Sequence, residues 1–149
     1  MSPNLKAFLD MIAISEGTHG KGDDGYNVIV GGGLFHDYAD HPRVKVDLPR
    51  LHIRSSAAGR YQVLERYFDV YKKQLKLPDF GKDSQDKIAI QLIKECHALD
   101  DIEAGHIQNA IKKCRSRWAS LPGAGYGQHE HELETLVQAY KDCGGVCAG

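Results

Sequence analysis

One carboxyl stands where its helix calls for an apolar side chain. Leu5, Phe8, Leu9 and Ile12 repeat at the spacing of an amphipathic helix, and Glu16, four residues past Ile12, continues the same stripe. Gly17 is the natural stop, so Glu16 falls in the last turn, at the negative end of the helix dipole. Partial burial and the dipole both disfavour the ionised form and push its pKa upward. A carboxyl held in this way is suited to donating a proton near neutral pH. The plainer alternative is a Glu at a helix end in water.

The other chemistry-bearing groups form weaker patterns. His36, Asp37, Asp40 and His41 lack the spacing of a helix-borne zinc site and read as turn chemistry, so no metal is expected. His129-Glu130-His131 lacks the His-Glu-x-x-His spacing and reads as a solvated helix face. There is no Gly-x-Ser-x-Gly elbow, and Gly31-Gly32-Gly33 has no Lys-Ser or Lys-Thr behind it, which excludes a phosphate loop. Cys96 and Cys114, on expected helices, read as buried thiols, with a disulfide as the alternative, while Cys143 and Cys147 could close a small disulfide in an oxidising compartment.

Around Glu16 the chain supplies elements in order. Tyr26-Asn27-Val28-Ile29-Val30 reads as a strand that turns at Gly31-Gly32-Gly33 and returns through Leu34-Phe35, a small hairpin whose glycines permit a tight turn or the close approach of a ligand to the backbone. Residues 36–56 form a long loop with one strand near 44–48. A helix is expected to start close to Gly59 and to run through Phe68, Tyr71 and Leu75, with Tyr61 and Gln62 in its first turns. There the two residues either present a ring and an amide to a polar ligand, or pack in the core and face water. Asp83 or Ser84 caps the next helix, a break spans 99–105, and a further helix carries Ile107, Ile111, Cys114 and Trp118. Leu121-Pro122-Gly123-Ala124-Gly125-Tyr126-Gly127-Gln128 cannot be helix interior or central strand and reads as a surface loop whose Tyr126 either stacks on or bonds a sugar or is an exposed tyrosine with no role. The last helix is expected from about His129 to Asp142.

The chain has 149 residues, 42% of them hydrophobic, which suits one domain with its own core over residues 1–149. Lys and Arg total 19 against 20 Asp and Glu, so nothing points to nucleic acid. No apolar run approaches the roughly 20 residues of a membrane span, and no signal peptide is apparent, so a cytosolic protein without membrane insertion is expected.

Three stretches together are specific: Ala7-Phe8-Leu9-Asp10-Met11 leading to Ser15-Glu16-Gly17-Thr18, Ala58-Gly59-Arg60-Tyr61-Gln62, and Ser120 to Gln128. With Tyr26-Asn27-Val28-Ile29-Val30-Gly31-Gly32, Asp37-Tyr38 and Asp40-His41-Pro42-Arg43, they resemble the lambda-type phage lysozymes, endolysins that act as lytic transglycosylases. The resemblance runs in the same order from about Leu5 to Gly145, and departs in a shorter loop after Glu16 and in the Cys143 and Cys147 tail. It implies an α+β lysozyme-like fold, a mainly helical lobe plus a small antiparallel sheet with a cleft between them. It also implies Glu16 as the catalytic residue and no cofactor. Tyr26, Gly32, Gly59, Tyr61, Gln62, Tyr126 and Gln128 are the implied substrate contacts, with lips formed by the loop around 44–54 and by 121–128. The implied substrate is the peptidoglycan glycan strand, cut between N-acetylmuramic acid and N-acetylglucosamine by a monomer. Such an enzyme is made in the host cytoplasm and reaches periplasmic murein after a separate holin permeabilises the membrane. The alternatives are a non-catalytic murein-binding module, or a hydrolytic muramidase, which would need a second carboxylate roughly 5 to 9 Å from the first, with Asp23, Asp24, Asp37 and Asp40 as the candidates.

Overall fold

The computed structural model describes residues 1–125 and 130–148. The chain forms two compact units, one from Met1–Gly17 with Ala89–Gly149, the other from Thr18–Ile88. The fold is α+β, with one two-stranded antiparallel sheet among the described residues.

In the first unit, α1 (Pro3–Glu16) opens on Ser2, whose side chain accepts from the Leu5 N–H, with Pro3 in the first turn where its missing N–H costs nothing. Ala7, Phe8, Leu9, Met11, Ile12 and Ala13 are all buried, so more of the helix is wrapped than the stripe alone requires. Gly17 ends it in a left-handed conformation, its N–H reaching the carbonyls of Ala13 and Ile14. Packed on α1 are α4 (Leu99–Glu103) and α6 (Leu133–Asp142), and α5 (Ile107–Cys114) packs on both of those. The expected break at 99–105 is therefore corrected: burial of Ala98 and Ile102 holds a short helix there. Trp118 is buried but lies beyond the end of α5. Helix α6 begins later than expected, at Leu133.

The second unit holds the sheet, β1 (Val46–Leu48) against β2 (Ile53–Ser55), with Val46 opposite Ser55 and Leu48 opposite Ile53. The second strand is an addition to the one expected in this loop; the Pro49–Leu51 3-10 turn and His52 at φ 51° fold the chain back on itself. The expected hairpin at 26–35 is present only as a single bridge, Val28 to Leu34, flanked by Phe35 N–H donating to the Asn27 carbonyl (2.9 Å). On its other edge Ile29 bridges Ala58, and the Gly59 N–H donates to the Val28 carbonyl (2.8 Å).

The helix expected from Gly59 is corrected. Ala58 and Val63 exchange backbone hydrogen bonds (3.1 and 2.8 Å), closing a tight loop in which Gly59 has φ 84° and Gln62 φ 54°. Neither value is compatible with a right-handed helix. Helix α2 (Glu65–Leu75) starts only after this loop, its first N–H bonded to Ser56 Oγ (3.0 Å). Next comes α3 (Lys82–Glu95), whose entry is fixed by Asp79, accepting from Gly81 N–H and Ser84 Oγ at 2.8 and 2.9 Å, in place of the caps expected at Asp83 or Ser84. Phe68, Phe80 and His41 make the aromatic centre of this unit, with His41 4.9 Å from Phe80 and 5.9 Å from Phe68.

Candidate active site

Glu16 is half-buried at the end of α1, and its pKa is pushed up to about 7 because burial strips water from the charged form. One hydrogen bond opposes this: Ser120 Oγ donates to Glu16 Oε2 at 2.6 Å and pulls the pKa down. Ser120 is itself buried and sits 2.6 Å from the buried Ser15 Oγ. A hydroxyl has one proton, so while Ser120 gives its own to the carboxylate, Ser15 must donate to Ser120. Backbone bonds hold this chain in place: His131 N–H donates to the Ser120 carbonyl (2.9 Å), and His131 Nε2 reaches the Ser15 carbonyl (2.9 Å). Glu16 thus has a dry setting that favours the acid and a preset donor that steadies the carboxylate. A group poised in this way can lose and regain one proton at neutral pH.

Ser120 was not among the expected site residues. It lies 104 positions from Glu16 in a loop without periodicity, and only its place in the Ser120 to Gln128 stretch flagged the region. Replacing Ser120 with Ala removes a lowering influence, so the pKa of Glu16 rises further. We expect the alkaline limb of the activity-pH profile to move upward in Ser120→Ala, with kcat reduced where the carboxylate form must act; an unmoved limb would show that the hydroxyl does not tune Glu16.

The loop following Ser120 is tied at its base. Glu130 accepts from the Gly123 and Gly125 N–H groups at 3.0 and 2.9 Å, and these hold its carboxyl below its ordinary pKa, Gly125 foremost. The solvated-helix reading of Glu130 and His131 is corrected accordingly: both precede α6 and spend their side chains stitching this segment down. Tyr126, Gln128 and His129 lie outside the described residues.

In the second unit, Tyr26 and Tyr61 meet edge to face (centroids 6.3 Å apart, 87°), and both hydroxyls donate to one oxygen, Asp86 Oδ1, at 2.8 and 2.6 Å. The buried Arg60 guanidinium lies 5.4 Å from the Tyr26 ring centre and 5.7 Å from that of Tyr61, and Nη1 donates to the Tyr61 oxygen at 3.2 Å. Burial first, and Asp86 second, push the Tyr26 phenol up to about 12, so it stays neutral. Tyr61 is 1% exposed and belongs to the core, which decides between the two readings left open for it. Gln62 is half-buried, and its amide donates to the carbonyls of Gly59 (2.9 Å) and Val28 (3.3 Å), so its side chain braces the loop. Gly32 is exposed in the turn closed by Ile29 N–H on the Gly33 carbonyl (2.7 Å). Asp86, the shared acceptor, was missed because nothing around it departs from a helix pattern. Asp86→Ala leaves a buried phenol without its charged acceptor and should cost about 2 kcal/mol in denaturant unfolding, most of it recovered in Asp86→Asn.

The Asp residues weighed as second carboxylates are already engaged. Asp23 accepts from Lys82 Nζ (3.0 Å) and Tyr38 Oη (2.8 Å), which lower its pKa, Lys82 foremost. Asp24 accepts from Gly20 N–H (2.9 Å) and faces Arg60 at 3.5 Å, Asp37 closes a turn on Ala39 N–H (2.8 Å), and Asp40 pairs with Arg43 (2.9 Å). His41 is likewise spent: Nδ1 accepts from Arg43 N–H (3.0 Å), leaving Nε2–H for the Val63 carbonyl (2.8 Å).

A sequence model of the endolysin family matches residues 6–147. The chain belongs to the endolysin family. This endolysin is 55% identical to the endolysin of Escherichia phage lambda, over 95% of this chain and 91% of that one. It is 52% identical to the endolysin of Escherichia phage P2, over 97% and 95%. Among solved structures, its fold matches bacteriophage lambda lysozyme complexed with a chitohexasaccharide at a TM-score of 0.96 and 50% identity, covering 99% of this chain and 98% of that one. A second structure of the lambda lysozyme matches at 0.91, with the same identity and coverage. The α+β lysozyme-like fold expected from the resemblance is thus the fold observed.

Proposed function

We propose that this endolysin degrades peptidoglycan by lytic transglycosylation, cutting between N-acetylmuramic acid and N-acetylglucosamine to leave 1,6-anhydromuramic ends. The observation that carries the reading is the Glu16 carboxyl, half-buried, with its pKa near 7 and Ser120 as its donor. In the first step the Glu16 acid gives its proton to the glycosidic oxygen as the bond to C1 breaks. The resulting carboxylate, steadied by Ser120, then takes the proton of the muramic C6 hydroxyl while that oxygen bonds to C1. Glu16 ends protonated, as it began, and no water is consumed. The acetamido group beside C1 is available to carry positive charge, as in substrate-assisted glycosidases.

One carboxyl suffices because the substrate supplies the nucleophile. Support comes from the occupied state of Asp23, Asp24, Asp37 and Asp40, each bonded to a cation or to its own turn. The glycan contacts we assign are Tyr26, Gly32, Tyr126 and Gln128, with Gly59, Tyr61 and Gln62 shaping the loop beside Tyr26. That the lambda lysozyme was solved with a chitohexasaccharide supports a β-1,4-linked amino-sugar polymer as substrate class here. The site of action we assign is periplasmic murein, reached from the host cytoplasm through a separate holin; this rests on the endolysin family. Mass spectrometry of muropeptides from digested murein tests the chemistry. Anhydro ends are expected, and free reducing ends in their place would establish a hydrolase.

A further inference from the structure

We infer that Cys96 and Cys114 form a thiol-disulfide exchange site for small-molecule disulfides, with Cys96 as the attacking thiol and Cys114 as the resolving one. Cys96 follows the last residue of α3, and Cys114 is the last residue of α5. Two cross-links clamp these helix ends together on either side of the pair. Arg117 Nη2 donates to Glu95 Oε1 (2.9 Å), and Lys113 Nζ donates to the His97 carbonyl (3.2 Å). The two sequence neighbours of Cys96 are therefore fastened to residues one and three positions from Cys114. Between the clamps the two thiols are hydrogen-bonded to each other, and Ser116 makes a further hydrogen bond to Cys96.

Exposure sets the order of events. Cys96 is half-exposed and Cys114 is wholly buried, so an oxidant in solution meets Cys96 first. The charged groups facing the pair are Arg117 at Cys96, and Asp101 and Lys113 at Cys114. The hydrogen bond from Cys114, ahead of those from Ser116 and Arg117, holds the Cys96 thiol below its ordinary value, while Cys114 is pushed up by the same bond and by burial. At neutral pH the exposed sulfur is the nucleophile and the buried one keeps its proton.

The chemistry balances with glutathione disulfide as the oxidant. Cys96 thiolate attacks one glutathione sulfur, the glutathione S–S bond breaks, and the departing thiolate takes a proton from water. Cys114 then loses its proton to solvent and attacks Cys96 Sγ, releasing the second glutathione. Two protein thiols are oxidised to one disulfide as one glutathione disulfide is reduced to two thiols. The product would close the loop from 96 to 114 across the clamped helix ends.

The test needs no murein and stands apart from the reading of Glu16. The full-length protein is incubated with glutathione disulfide, alkylated and digested, and the cysteine peptides are mapped by mass. A peptide pair joining Cys96 to Cys114 is expected, and in Cys114→Ala a glutathione trapped on Cys96. In a second measurement, the rate of Cys96 alkylation should rise far less between pH 6 and pH 8 than the about 75-fold expected of a thiol of ordinary pKa. Glutathione retained on Cys96 of the parent protein, or a Cys96 rate that rises with pH like an ordinary thiol, would overturn the proposal. The parent-protein arms do not depend on how the variant folds.

Discussion

Glu16→Gln is expected to lose about 10³-fold or more of its murein-clearing activity while still binding murein. General acid-base groups contribute roughly 10² to 10⁴ in rate, and in the proposed mechanism one carboxyl serves both proton transfers. The amide is nearly isosteric and still accepts the Ser120 bond, so shape and packing are kept. A turbidity assay beside a pelleting assay separates chemistry from binding, and lysis by the variant would remove Glu16 from its role. The same variant carries a stability signature of known sign. Glu16 has a folded pKa of about 7 against 4.5 for a free Glu, so its contribution is fully present below about pH 4.5 and is lost as pH rises through 7. Above that, the folded protein bears the cost of an ionised, poorly hydrated carboxylate, about 2 kcal/mol after allowing for its partial exposure. Glu16→Gln should therefore unfold at a higher temperature than the parent at pH 8, by several degrees, and at nearly the same temperature at pH 4. A carboxyl whose removal stabilises the protein only where it would be charged is a group held against its own preference.

Gly59→Val should be the most damaging single change outside the acid. Gly59 has φ 84°, which an L side chain takes up at a cost of roughly 1 to 3 kcal/mol. A Cβ there would also overlap the Gln85 carboxamide and lie 3.0 Å from the Phe80 ring. Gln85 cannot step aside freely: its Oε1 accepts from Arg60 N–H (2.9 Å), and its Nε2 donates to the carbonyls of Phe80 (2.8 Å) and Tyr26 (3.0 Å). Overpacking adds roughly 1 to 3 kcal/mol, so a total of about 4 kcal/mol and a fall in Tm of about 10 °C are expected. Gly32→Ala is the matched control, since its φ of 103° is as unfavourable but no atom lies within 4 Å of the added Cβ. If the two variants unfold alike, the crowding at Gly59 is not what matters.

Glu16 was legible because a charged residue in an apolar stripe, followed by Gly, is a local pattern on one helix. Tyr61 and Gln62 were misplaced because the apolar spacing of Phe68, Tyr71 and Leu75 runs backward smoothly into 59–63. Periodicity carries no signal for the positive φ values at Gly59 and Gln62 that end the helix there. Strand β2 was hidden for a similar reason: its Ile53-Arg54-Ser55 is too short to alternate, and the reversal that makes it a strand comes from His52. Ser120 and Asp86 act through single hydrogen bonds to distant residues, and no local pattern encodes a partner 104 or 60 positions away. The whole-chain resemblance supplied the reach that periodicity lacked, and it pointed to the stretch holding Ser120 without naming the residue.

The first unit is assembled from the two ends of the sequence, residues 1–17 and 89–149, while the second is continuous from 18 to 88. Helix α1 packs on α4 and α6, Asn4 Oδ1 accepts from the Val146 N–H (3.0 Å), and Gly105 is closely overlaid by the backbone of Val146 and Ala148. During vectorial synthesis Glu16 leaves the ribosome 104 residues ahead of Ser120, the hydroxyl that bonds it. The intervening unit has its partners at hand and can condense while the remainder is still being made. A chain stalled before Ser120 therefore carries the glutamate without the hydroxyl that steadies its carboxylate.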